Sequence, residues 1–280
     1  MTASASGRER YDADRRGEAP PAPEPLAVPA VDAHCHLDLM DVPVEQAMSD
    51  AKAVGIQRVV TIGIDVPSSE WSVRTAATYD DVFATVAIHP NEAHTADEAV
   101  WTRIAELAAD PNVVGVGETG LDHYRTAADG WVQQETSFRR HIDIAKRTGK
   151  ALVIHDRDAH ADVLRVLDSE GAPEHVVFHC FSGDADFAKK CADRGYVMSF
   201  AGNMTFKNAG DLRAAAEVAP ADLLLVETDA PFLTPMPHRG RPNAPYLVPL
   251  TVRALAEVRH QSPDDVASAV TSTATRVFGW

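Results

Sequence analysis

The sequence carries two histidines separated by one residue, His34 and His36 in VDAHCHLD, and four further groups of matching chemistry: Glu118 in VVGVGE, His155 in VIHD, His179 in VFHC and Asp229 in VETDAP. Imidazoles combined with carboxylates suit zinc, manganese, iron or cobalt, whereas sites built mainly of oxygen suit magnesium or calcium. Side chains two apart on a strand point to one side, so His34 and His36 can chelate one divalent ion. Glu118 ends an apolar run, and a buried carboxylate is costly unless a cation binds it. A glutamate that bridges two ions about 3.5–4 Å apart satisfies both of its oxygens. Asp229 follows LLLVET and obeys the same logic; a helix cap is the weaker reading, because the PFLTP beyond it is not helical in character. Asp32 shares the face of the two histidines and is expected to be a buried hydrogen-bond acceptor behind them.

These groups act together only if the chain brings them together. From residue 28, short apolar runs at 28–33, 58–63, 82–88, 113–117, 151–154, 175–178, 196–200 and 223–226 alternate with helical patterns at 44–53, 68–78, 96–109, 131–148, 158–168, 184–193 and 209–219. The runs are continuous rather than alternating and rich in Val, Ile and Leu, as parallel strands buried on both faces require. In the helix expected at 131–148, Phe138, Ile142 and Ala145 recur at helical spacing as a core stripe. A proline-rich loop at 231–245 and two more helices, near 246–258 and 263–277, follow the eighth run. Eight strand–helix units predict an α/β fold, a (β/α)8 TIM barrel that takes up residues 28–280 as one domain. An open doubly wound sheet is the alternative, and no GxGxxG follows the first strand to support a dinucleotide-binding version. In a barrel the carboxyl ends of the strands converge on one mouth. The reactive residues fall at those ends: His34 and His36 at the first, His89 at the third, Glu118 at the fourth, His155 at the fifth, His179 at the sixth and Asp229 at the eighth.

Composition narrows the partners. The 280 residues carry a formal net charge of −15, and the N-terminal arm supplies little of it, with four arginines against five acids up to Glu24. A protein that wraps long duplex DNA carries a basic stripe, and no Lys/Arg cluster stands out here. The acidity points to a small substrate, or to a nucleic acid gripped at one end where bound cations reverse the local sign. Residues 1–27 are polar and then Pro/Ala-rich, without apolar periodicity, and are expected to form a disordered arm. Arg15-Arg16 is not followed by an apolar stretch, which argues against an export signal, and no run approaches the roughly 18 apolar residues of a membrane span. A cytoplasmic protein, taken as a monomer, is the expectation. Cys35, Cys180 and Cys191 lack CxxC spacing and fit free thiols. Next to inward-facing histidines, Cys35 and Cys180 are expected to face the outer layer as small buried hydrophobes.

The segments VDAHCHLD, AIHP, VGETGLDHYR, IHDRDA, FHCFSG and VETDAPFLTP, in this order and spacing, resemble the successive signature blocks of the TatD family of metal-dependent deoxyribonucleases, from about residue 31 to the C-terminus. The HxH pair alone occurs across amidohydrolase-like enzymes; six blocks in order are specific. The resemblance implies a barrel that cleaves phosphodiesters with two divalent ions (magnesium, manganese or zinc), often as a 3′-to-5′ exonuclease on DNA ends or short oligonucleotides. It implies one ion held by His34, His36, Glu118 and Asp229, and a second held by Glu118, His155 and His179. Glu118 and Asp229 are then the catalytic pair, with Asp229 managing the proton of the attacking water. The resemblance also sets His89, Arg157, Lys207 and Arg239 against substrate phosphates. The chain departs from the family pattern at Asn91-Glu92-Ala93-His94, where many relatives have a histidine directly after the proline, and at Thr273-Ala274-Thr275, where an asparagine is common.

Two other readings stay open. A small-molecule hydrolase acting on an ester, lactone or amide would often bridge its metals with a carboxylated lysine at the end of strand four, where this chain has Glu118. A non-catalytic barrel would be expected to have lost ligands. No Ser or Cys stands in a nucleophile setting such as GxSxG, and Ser182 reads as a loop or cap residue before Asp184. His123, His141, His160, His175 and His260 read as structural or solvated, Arg125 equally as a substrate contact or a surface residue, and Trp131 and Phe138 as core. With aromatics at 6%, no extended base-stacking surface is evident.

Overall fold

The computed structural model describes residues 17–280, so the expectations for residues 1–16, Arg15-Arg16 among them, lie outside the described residues. Eight strands pair in parallel, each with the next in sequence: β1 Ala30–Cys35, β2 Ile56–Ile62, β3 Val82–Val86, β4 Val113–Asp122, β5 Ala151–Arg157, β6 Val176–Phe178, β7 Val197–Phe200 and β8 Leu224–Val226. The sheet closes on itself where the chain just past β8 meets β1. Asp229 N–H donates to the His34 carbonyl at 2.9 Å, and His36 N–H donates to that of Ala230 at 2.7 Å. Around the barrel, among the described residues, lie α1 Val44–Ala53, α2 Val66–Ala76, α3 Glu98–Ala108, α4 Trp131–Thr148, α5 His160–Glu170, α6 Ala185–Ala192, α7 Gly210–Val218, α8 Val248–Arg259 and α9 Pro263–Phe278. The fold is the TIM-barrel-like architecture that the alternating pattern predicts. No helix among the described residues is long and apolar enough to cross a membrane.

Local chemistry sets where the helices begin. Asp65 and Ser68 form a reciprocal capping box at α2, and the side chains of Asp97, Asp184 and Ser262 accept from backbone N–H groups at the starts of α3, α6 and α9. The strands bury Val59, Val86, Leu152, Val177 and Leu225, and α4 buries Phe138 and Ile142 against them. Each such side chain contributes roughly 1.5–3 kcal/mol through removal from water.

Two strands are irregular where they matter. Between Asp32 and Cys35, β1 holds one residue more than its partner β2, and between Val116 and Thr119, β4 holds one more than β5. Such bulges re-aim side chains, and here they fall at His34 and at Glu118. β4 does not stop at Gly117 as expected but runs to Asp122, so Glu118 lies within the strand rather than at its end.

Part of the expected arm is fastened down. Leu26 is buried, and its N–H donates to the Val54 carbonyl at 3.0 Å. Arg241 Nε and a terminal nitrogen donate to the carbonyls of Glu18 and Ala19 at 2.8 and 3.0 Å, the Tyr246 hydroxyl donates to that of Pro20 at 2.7 Å, and Arg253 donates to that of Glu24 at 2.6 Å. A proline-rich segment has no periodic apolar face to signal packing. Its carbonyls, left free of partners within the segment, are instead taken up by side chains of distant loops and helices.

His141, on α4, joins the helix layer to the barrel. Its Nε2 accepts the Ile88 N–H at 3.0 Å, which leaves Nδ1 to face the Thr119 hydroxyl at 2.8 Å and the Ser137 carbonyl at 2.9 Å. Burial pushes its pKa down to about 3 from an ordinary 6.5. The unfolded ring gains a proton as pH falls through about 6.5 while the folded ring stays neutral, so stability is lost below that pH, by up to about 1.4 kcal/mol per unit from this group. Urea unfolding at about pH 7 and pH 5 is expected to show a smaller loss in His141→Gln than in the wild type. Equal losses would exclude His141 as the source.

Candidate metal centre

Five strands and the residues just past them build one cluster. His34 comes from the bulge of β1 and His36 from just beyond it, Glu118 from the bulge of β4, His155 from β5, His179 from the residue after β6, and Asp229 from the loop after β8. Glycine permits the approach of β4 to β5. A Cβ on Gly117 would lie 2.6 Å from the Val153 carbonyl oxygen, and one on Gly120 would lie 2.1 Å from that of His155. Without those side chains β4 presses against β5, and Glu118 turns into the mouth.

The two oxygens of Glu118 face different histidines. Oε1 lies 2.7 Å from His155 Nδ1, 2.9 Å from His179 Nε2 and 3.3 Å from His89 Nε2. Oε2 lies 3.5 Å from His34 Nε2 and 3.8 Å from His36 Nε2. Asp229 Oδ1 completes the second side, 3.5 Å from His36 Nε2 and 3.7 Å from His34 Nε2. Among the described residues three overlapping sets could hold an ion: His34, His36 and Asp229; His34, Glu118 and His179; and His89, Glu118 and His155. Both ring nitrogens of His34 and Nδ1 of His36 are buried without a hydrogen-bond partner. Buried nitrogens are rarely left so, and a cation at the cluster would engage His34 Nε2, the one of the three that faces Glu118 and Asp229. The residues therefore fit divalent ions.

Behind the cluster stand carboxylates that orient it. His155 Nε2 faces Asp122 Oδ2 at 3.2 Å, and His179 Nδ1 faces Glu227 Oε1 at 3.3 Å. Glu227, fully buried, also accepts the Cys180 N–H at 2.7 Å. A carboxylate on the far nitrogen holds the proton there and turns the near nitrogen toward the centre. Sequence reading missed both acids. Glu227 could have been found from its spacing of two from Asp229; Asp122 offered no such signal. Asp32 accepts from Thr228 N–H at 2.9 Å, from its hydroxyl at 2.5 Å and from His34 N–H at 3.3 Å, as expected of an acceptor behind the histidines.

The electrostatics call for positive charge. Burial by itself would raise the Glu118 carboxyl, but His179 and His89 beside it, with hydrogen bonds from His155 and His179, hold it well below the usual carboxylate range. Asp229 is likewise lowered, burial being overcome by His36 and His34. Burial would depress the His179 imidazole, yet Glu118 lifts it well above its ordinary value, and Asp122 with Glu118 raises His155 in the same way. Protons and cations compete for these positions, so ion binding releases protons.

His89 joins this cluster, where the resemblance implied only a phosphate contact. Its Nδ1 accepts the Asn91 N–H at 3.1 Å, which leaves the proton of the neutral ring on Nε2, aimed at Glu118. That makes it a donor rather than a ligand. The three expected cations lie outside the cluster. Arg157 stacks on Tyr124, Arg239 stacks on Phe206, and Lys207 is exposed on the loop after β7. Two further expectations fail. Cys180 does not face the outer layer: β6 ends at Phe178, strand alternation no longer applies, and its φ of 42° leaves it half-buried, with its sulfur 3.7 Å from Asn203 Nδ2. Trp131 is not core but 37% exposed, stacked on His123 at 3.9 Å. A cavity of about 320 Å³ lined by Pro90, Asn91, His94, Thr126 and Gln133 lies beside the mouth, and none of the cluster residues lines it.

Comparison with known proteins agrees with this geometry. The model of a family described as TatD related DNase matches residues 31–279. A metal-dependent hydrolase called TatD from Mycobacterium tuberculosis is 46% identical over 258 residues, covering 89% of this chain and 97% of the relative. The metal-dependent hydrolase YabD of Bacillus subtilis is 37% identical, with 88% and 98% covered. The crystal structure of YjjV, a TatD homologue from Escherichia coli, superposes with a TM-score of 0.83 at 24% identity over 90% of this chain and 98% of the other, a likeness of fold. By sequence, barrel and His/Glu cluster, this chain belongs to the TatD-related DNase family and is a metal-dependent hydrolase.

Proposed function

We propose that the protein is a deoxyribonuclease that removes nucleotides from the 3′ ends of single-stranded or frayed DNA, using two divalent ions (magnesium, manganese or zinc). One observation carries the reading: the two oxygens of the buried Glu118 face separate sets of histidines, as a residue bridging two ions requires. The family's description as DNase supplies the substrate class. His34, His36, Glu118 and Asp229 would hold one ion, and Glu118, His155 and His179 the other. Bound there, the ions supply Lewis acidity that lowers the pKa of a water toward neutrality and draws off phosphoryl charge.

The chain's own residues do the remainder. Asp229, kept ionised by His36 and His34, takes the proton of the attacking water. His89 presents Nε2–H to a phosphoryl oxygen, a donor already fixed by the Asn91 N–H. Arg157 and Lys207, at the rim, neutralise the phosphates of the strand, and Arg239 contacts the substrate from the loop after β8. Glu227 and Asp122 keep His179 and His155 turned inward.

The test is an oligonucleotide labelled at the 3′ or the 5′ end, incubated with magnesium, manganese, zinc or a chelator. Release of 3′ nucleotides only in the presence of metal is expected. Metal-dependent hydrolysis of lactones without nucleotide release would refute the nuclease reading in favour of a small-molecule hydrolase.

A further inference from the structure

The rim of the mouth carries two arginine–aromatic pairs in opposite order. Beside β5, Arg157 Cζ lies 4.0 Å from the centre of the Tyr124 ring; beside β8, Arg239 Cζ lies 4.3 Å from that of Phe206. In the first pair the aromatic ring is outermost, with Tyr124 65% exposed over a half-buried Arg157. In the second the guanidinium is outermost, with Arg239 exposed over a half-buried Phe206. Each wall thus presents a planar group backed by a second one.

The Tyr124 plate is rigidly tied to the cluster. Asp122 Oδ1 accepts the N–H groups of Tyr124 and Arg125 at 3.0 and 2.7 Å, while its Oδ2 faces His155 Nε2 at 3.2 Å. The turn is braced further by the Thr126 hydroxyl on Asn91 at 3.0 Å, by Gln134 on Thr126 at 2.8 Å and by the Trp131 indole N–H on the Thr126 carbonyl at 2.9 Å. Arg157 is two residues beyond His155 on the same strand. One carboxylate therefore fixes both a candidate ligand and the backbone beneath the plate. On the other wall, Met236 N–H donates to the Thr205 hydroxyl at 2.8 Å and joins the loop of Arg239 to that of Phe206.

We infer that Tyr124 and Arg239 are the platforms on which unpaired nucleobases stack to either side of the scissile phosphate, with Arg157 held flat beneath Tyr124 so that its in-plane N–H groups reach the backbone. The inference rests on the phosphodiesterase reading and specifies its substrate as nucleic acid with free bases. Stacking accepts any base, because every base has a π face. Bases paired within a duplex are covered on both faces, so platforms select frayed or single-stranded ends. Platforms also answer the charge problem. A chain of net charge −15 gains little from long-range attraction to phosphate, and stacking is an attraction that salt does not screen.

The experiment compares wild type, Tyr124→Ala and Tyr124→Phe on a single-stranded oligonucleotide and on one whose 3′-terminal residue lacks its base. Tyr124→Ala is expected to raise KM for the intact strand about tenfold or more with kcat little changed, and Tyr124→Phe is expected to stay near wild type. On the base-free end the wild type should already show the raised KM, and Tyr124→Ala should add nothing. A readout without turnover is the fluorescence of 2-aminopurine at the 3′ end, measured with chelator present. It should be quenched by wild type and Tyr124→Phe and not by Tyr124→Ala. If wild type cleaves the strand and Tyr124→Ala matches it in KM and quenching, the platform is wrong and the nuclease reading stands. If Tyr124→Phe behaves as Tyr124→Ala, the hydroxyl acts and stacking is wrong. If wild type cleaves no oligonucleotide with any metal, both readings fall.

Discussion

Glu118→Gln is expected to lower kcat/KM on a single-stranded oligonucleotide by on the order of 10³, the scale of a lost metal contribution of several kcal/mol. Glutamine keeps the size and shape of the side chain but turns one of two acceptors into a donor. Whichever way the amide lies, its NH2 faces either His155 and His179 or His34 and His36. Only one oxygen is left to ligate, so the bridge is broken. Titration calorimetry with manganese should show fewer or weaker bound ions, and a melting curve on the same sample separates this from misfolding. Full metal binding with near-wild-type turnover would remove Glu118 from the centre of the mechanism.

Asp229→Asn should act differently. The amide oxygen can still face His36 and His34, so metal binding is expected to persist in part, while the proton acceptor is gone. A fall in kcat of about 10²–10⁴, with KM much less affected, is the expected result. Loss of metal in proportion to loss of activity would make Asp229 a ligand alone. The pair of variants therefore separates holding the ions from handling the proton.

The sequence makes most of the fold legible because parallel strands buried on both faces leave unbroken Val/Ile/Leu runs; the caps Asp65 and Asp97 place two helix starts at 66 and 98, where periodicity alone gives 68 and 96. The six candidate ligands are visible because each interrupts or ends an apolar run with a polar residue. What stays hidden has specific causes. The extension of β4 through Glu118 to Asp122 is masked by its own glycines, which read as a strand end but serve close packing against β5. Glu227 looks like one more residue of LLLVET until the bulk of the barrel places it against His179. Trp131 reads as core because aromatic residues usually are, and its exposure, like that of Tyr124, follows from a turn pinned by Asp122 and Thr126, which no periodicity encodes. The anchoring of residues 18–26 depends on Arg241, Tyr246 and Arg253, more than 200 positions away in the chain.

The closure of the barrel between β1 and the chain beyond β8 has a consequence for how the molecule comes apart. His34 and His36 stand on one lip of that seam and Asp229 on the other, joined by backbone bonds of 2.9 and 2.7 Å. An ion held by all three, as proposed, would be a rivet between the first strand and the end of the last, closing nearly the whole domain into a single ring. Fastening so long a loop restrains a large number of open arrangements. Loss of such an ion would remove the chemistry and one tie across the seam together, leaving the two backbone bonds to hold the barrel closed.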